Sequence, residues 1–258
     1  MIKKLAVAFA LTAALVSAGT AGASASTPPV VHPGTHAQKL TTGPVLSGTG
    51  WKTETVDFGG GNVCPIDSLV HNQTYTITFT DAASRTQLDP YALNAARQLN
   101  TLPSITGAGI HFAVTTVLAP LTEPAGAQYP AASPAAFHIS LSLRQSPQSG
   151  MSWTTPGVMN CQYAYGADIW ITPEYWSTTH WFSTNATVNT VRTLAVVPHE
   201  IGHAMGLDHP DAFTVPAGRA VPLMHPTTGG YQSVTNATKT PYTGYDQVGI
   251  SNLVSNGA

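Results

Sequence analysis

Residues 74–80, TYTITFT, alternate polar and apolar side chains, the period of a half-buried strand. The same reading predicts strands over Ile110–Val117 (IHFAVTTV), Phe137–Leu143 (FHISLSL) and Ala167–Ile171 (ADIWI). Between the first two, Asp89-Pro90 opens the helical stretch YALNAARQLNTL, with the aspartate as N-cap and the proline at the first helical position. A longer helix is predicted over Asn185–Met205. Val188, Val191, Leu194, Ala195, Ile201 and Met205 fall on one of its faces, and Asn185 is a good cap. Pro198 lies inside this stretch, where it removes a backbone donor, so a kink or break is expected just before His199. Residues 118–136 and 144–160 are rich in Pro, Gly and Ser and read as loops.

Composition narrows the setting. Charged residues make up 9% of the 258 and the formal net charge is −2, with no basic stripe, which argues against a nucleic-acid partner. A hydrophobic content of 43% argues for a folded body. The start, MIKKLAVAFALTAALVSAGTAGASAS, has two lysines, a short apolar run and A-x-A sites, as a cleaved secretory signal over 1–25 would. The run is short for a membrane anchor, so a secreted, extracellular protein without stable membrane association is expected. Residues 26–50 lack helical or strand period and read as a flexible leader or short propeptide, leaving 51–258 as the folded domain. Cys64 and Cys161 are the only cysteines, and export favours a disulfide between them.

The stretch HEIGHAMGLDH, 199–209, changes the picture. His199 and His203 lie four apart, so a helix puts both imidazoles on one face within reach of a single metal ion. Glu200 then sits beside the metal, where it can deprotonate a bound water. Gly206 can end the helix with a sharp turn that returns His209 as a third ligand. Three neutral imidazoles suit one Zn2+ ion with its fourth position open, the arrangement of a catalytic site. Asp208 and Asp211 are alternative third ligands, but His209 fits the spacing better. No glutamate follows Glu200 to serve as a distant ligand.

These residues carry the full H-E-x-x-H-x-x-G-x-x-H pattern of the metzincin zinc endopeptidases, which the chain resembles. Leu223-Met224-His225-Pro226 resembles the methionine turn of that family, which implies that Met224 packs beneath the three histidines. Element order and the closing stretch TGYDQVGISNLV look most like the matrixin branch, while His209-Pro210 is similar to the serralysins. The likeness covers about 70–256 and is specific over 199–226. It implies an α+β fold of zincin type: a twisted, mostly parallel sheet with an antiparallel edge strand, an active-site helix, and a small C-terminal subdomain after Gly206. It also implies an extended substrate along an edge strand near 155–165. Trp170 and Thr172 stand where matrixins carry ligands for a structural zinc and a calcium ion, which with the shortage of carboxylates speaks against both. The matrixin zymogen cysteine motif is missing. Cys64 in GGGNVCPIDS is the alternative zinc-blocking thiol.

The expected activity is hydrolysis of protein or peptide substrates by a monomer, with Glu200 as general base and His199, His203 and His209 as zinc ligands. A secreted zinc-binding interaction protein and a zinc hydrolase of a non-peptide amide are the competing readings. An intact Glu200 argues against the first, since a pure binding site has no use for a base.

Overall fold

A computed structural model of the protein describes residues 32–33, 50–57, 62–120, 135–145, 152–210, 221–225 and 234–257. The expected signal segment lies outside them. Along the chain, β1 (His32–Pro33), β2 (Lys52–Asp57), β3 (Val63–Ile66) and β4 (Ser68–Leu69) precede β5 (Thr74–Phe79). Helices α1 (Ala82–Leu99) and α2 (Pro103–Gly107) lead to β6 (His111–Leu118), β7 (His138–Leu143), β8 (Trp153–Met159) and β9 (Tyr163–Ile171). Then come α3 (Glu174–Ser177), α4 (Ala186–Met205), β10 (Leu207–Asp208), α5 (Val234–Lys239) and α6 (Gly244–Ser255).

The fold is α+β. The larger sheet runs β1-β8-β9-β7-β5-β6, with β4 beside β9. Strands β4, β5, β6, β7 and β9 pair in parallel, while β8 runs antiparallel to β9 and β1 antiparallel to β8. A second, antiparallel set joins β10, β2 and β3. Strand alternation sorts the side chains by face. Ile77, Phe79, Ile139, Leu141, Ile169 and Ile171 point to one side and build the buried core with Leu88, Leu99, Ala195 and Ile201 of α1 and α4. Buried apolar area of this kind is the main force holding both helices to the sheet.

The other face is polar and also buried. Thr78 donates to Ser140 at 3.4 Å, Thr80 donates to Ser142 at 3.2 Å, and Asp168 lies opposite Ser140 in the ladder. Burial pushes the Asp168 carboxyl up to about 7, against the pull of Ser140 and the charge of Arg144. The folded protein therefore keeps this proton up to about pH 7, whereas the unfolded chain releases it near pH 3.9. Between those values the folded state binds more protons, so this group favours folding most below about pH 4 and increasingly opposes it as pH rises through 7. Asp168→Asn is expected to raise Tm more at pH 8 than at pH 5, by thermal denaturation at both. Equal shifts at the two pH values would contradict this.

Several sequence expectations change. The helix expected to begin at Asp89-Pro90 begins at Ala82, because Asp81 caps it by accepting the Ser84 amide at 2.7 Å. Pro90 is then interior. Leu88 is the only large apolar side chain in the first two turns, so the start carries little hydrophobic period. Pro198 does not break α4, which is helical throughout 186–205. The stretch 144–160 contains the strand β8. Within the expected leader, His32 and Pro33 pair with Val158 and Gly157 of that strand.

Candidate metal centre

Helix α4 carries the first two histidines. Asn185 caps its start by accepting the Val188 amide at 3.1 Å. Gly206 ends it at φ 103°, a left-handed conformation that glycine adopts without penalty. A Cβ at this position would also lie 2.7 Å from the Ile66 carbonyl oxygen, so β3 closes on the turn at a distance only glycine allows. The chain reverses into β10, which pairs with β2 through Leu207↔Thr53 and Asp208↔Lys52. His209 follows and is returned to the helix.

The three imidazoles converge. His199 Nε2 lies 3.0 Å from His209 Nε2 and 3.2 Å from His203 Nε2. His199 Nδ1 donates to the Leu223 carbonyl at 2.8 Å, and His203 Nδ1 donates to the Leu207 carbonyl at 2.8 Å. Those bonds place the proton on Nδ1, so in neutral rings the two Nε2 lone pairs face each other. Such a cluster asks for a cation at its centre. Four nitrogens around zinc stand about 3.3 Å apart for bonds of the usual length. The donor set thus fits a metal ion, and His199, His203 and His209 are a group able to hold one.

The electrostatics agree with this geometry. Burial drives the His199 imidazole down to about 3, helped by the charge of His203. Burial also opposes charge on His203, but its bond to Glu54 and the charges of Glu54, Glu200 and Asp208 carry it up to about 9. Without a metal, His203 takes a proton where a dication would otherwise balance the carboxylates.

Glu200 is buried at 8% exposure, and burial raises its carboxyl above the ordinary range. Thr154 of β8 donates to Glu200 Oε2 at 2.5 Å. Met224 packs against α4: a Cβ on Gly202, in the turn between His199 and His203, would fall 2.2 Å from Met224 Sδ. The methionine segment is held from α6. The Asp246 carboxylate accepts the Leu223 amide at 2.8 Å, the Met224 amide at 3.2 Å, and both the amide and hydroxyl of Thr243. Tyr242, just before α6, donates to the Pro198 carbonyl at 2.9 Å and ties the start of α6 to α4.

Cys64 and Cys161 form a disulfide, so Cys64 is not a free thiol at the metal centre. Sequence reasoning missed Glu54 and Thr154. Glu54 lies far from the histidine motif in sequence, and Thr154 falls where proline and glycine suggested a loop. The one available signal for Glu54 was its being a glutamate in an alternating run, KTETVD, in a chain with few acids. No protein-family model matches the chain, and no curated protein matches its sequence.

Proposed function

We propose that the protein is a secreted zinc-dependent endopeptidase of the metzincin type, with a matrixin-like catalytic domain over 51–258. The observation that carries this reading is the convergence of three imidazole Nε2 atoms beside a buried glutamate that Thr154 of β8 contacts. Its support includes the methionine packed against Gly202 between the two helix histidines and a mostly parallel sheet in which β8 runs antiparallel to β9.

In this reading His199, His203 and His209 hold one zinc ion, and Met224 forms the apolar floor. Zinc supplies Lewis acidity, activating water and polarising the scissile carbonyl. Glu200, oriented by Thr154, takes the proton from the attacking water and returns it to the leaving amine. No side chain forms an acyl intermediate. The substrate lies extended along β8 and gains main-chain hydrogen bonds that demand no particular sequence. The pairing of His32–Pro33 with β8 supports this, since it places an extended segment on that edge. Residues 226–240 set the side-chain preference in this reading, and 226–233 of them lie outside the described residues.

The test is metal removal. Cleavage of a mixed fluorogenic peptide library by the purified protein is expected to fall to background with a zinc chelator and return on adding one equivalent of zinc. Cleavage that survives chelation would exclude a metallopeptidase. A zinc-loaded protein that cleaves nothing would favour the binding-protein reading.

A further inference from the structure

From the placement of Glu54 we infer that the N-terminal β2–β3 ribbon completes the metal centre, with Glu54 acting as the positioning residue for His203. The inference rests on the three-histidine metal site but not on peptidase activity.

Glu54 lies in the middle of β2, far from the histidine motif in sequence, and only 4% of it is exposed. Its backbone and side chain both face the end of α4. The Glu54 amide donates to the Gly206 carbonyl at 2.6 Å, satisfying an acceptor left open at the helix terminus. Its Oε2 lies 3.1 Å from His203 Nδ1, which also donates to the Leu207 carbonyl at 2.8 Å. One N–H thus reaches a carbonyl on β10 and a carboxylate on the strand paired with β10.

Two physical consequences follow. A carboxylate accepting from Nδ1 fixes the ring so that Nε2 points at the metal, and it makes that nitrogen a stronger donor. The charge count matters as much. Three neutral imidazoles would leave a zinc dication uncompensated, while Glu54 and Glu200, both buried, would balance it when ionised.

Glu54, His203 and Asp208 also form a second group able to hold a metal through the other nitrogen of His203. Lys52 argues against that use. Its ammonium lies 3.2 Å from Asp208 Oδ2 and already supplies the positive charge there. Glu54 is therefore a hydrogen-bond acceptor in this inference and not a ligand.

The experiment measures zinc affinity of the full chain by competition with a chromophoric chelator, zinc stoichiometry, and Tm of the metal-free protein. It compares wild type, Glu54→Gln and Glu54→Ala. Gln keeps the shape and an acceptor oxygen but loses the charge. Zinc affinity is expected to fall at least threefold in Glu54→Gln and at least tenfold in Glu54→Ala, with one ion per chain throughout. The metal-free Tm of Glu54→Gln is expected to fall, because the buried His203 loses the carboxylate that pairs with it. Smaller losses of affinity would overturn the inference. So would wild-type affinity in Glu54→Gln beside a loss in Glu54→Ala, which would make Glu54 a strut only. Two ions in wild type and one in Glu54→Ala would make it a ligand instead. A wild-type protein that binds no zinc would refute the metal site itself, a result separate from all of these.

Discussion

Replacing Glu200 by alanine is expected to lower kcat/KM for peptide cleavage by about 10²–10⁴-fold, the usual contribution of a positioned general base. Bound zinc should remain at one equivalent, since Glu200 is not one of the converging imidazoles. Glu200→Gln should lose a similar amount, because the amide preserves size and the contact with Thr154 but cannot accept the proton. In the proposed mechanism the loss should fall mainly on kcat, as Glu200 would act on the attacking water and β8 would hold the substrate. Metal analysis beside steady-state kinetics checks both halves. Rates in both variants within a few-fold of wild type would remove Glu200 from the mechanism. Loss of zinc together with activity would mean that Glu200 serves the metal and not the proton.

The candidate site was readable where its geometry is local. His199, Glu200, His203, Gly206 and His209 lie within one helix and the turn that ends it, so helical period and a single glycine suffice to place them. Glu54, Thr154 and Asp246 reach the same site from β2, β8 and α6. Their roles depend on tertiary pairing, which no local spacing encodes. In sequence Asp246 is only one residue of the closing stretch TGYDQVGISNLV. Its four accepted hydrogen bonds become visible once the methionine turn folds against that helix.

The fold shows the same division. Strands β5, β6 and β7 were legible from alternation because one face is apolar and the other carries Thr, Ser and His. β8, WTTPGVM, contains proline and glycine and pairs at the sheet margin, where proline is tolerated. The turn joining it to β9 is also uncommon in sequence. Asn160 and Cys161 sit at φ 55° and 58°, where hairpins usually place Asn-Gly. A cysteine in that position hides the hairpin from a reading based on turn residues. Pro198 misled in the opposite direction: the lost backbone bond is a local cost, while Pro198 and its neighbours Val197 and Ile201 are buried. Packing of that surface keeps the helix intact.

Removing the disulfide by Cys64→Ser with Cys161→Ser is expected to be the most damaging change to stability. The bridge spans 97 residues, and chain-closure entropy for a loop near that length corresponds to about 4–5 kcal/mol. For a domain of this size that is a drop in Tm of about 10–20 °C. The effect should also reach the metal. Cys64 lies in β3, which pairs with β2. β2 in turn holds β10 through Leu207↔Thr53 and the helix end through the Glu54 amide. Loosening this ribbon frees the segment that returns His209, so zinc affinity should fall along with Tm. The sign of the activity change separates two roles for Cys64. A bridge that braces the site predicts lower peptide cleavage in the double variant. A thiol that blocks zinc predicts higher cleavage once it is gone. Thermal denaturation and cleavage assays on the double variant, each with zinc added, measure both. An unchanged Tm with raised activity would overturn the structural role assigned to this disulfide.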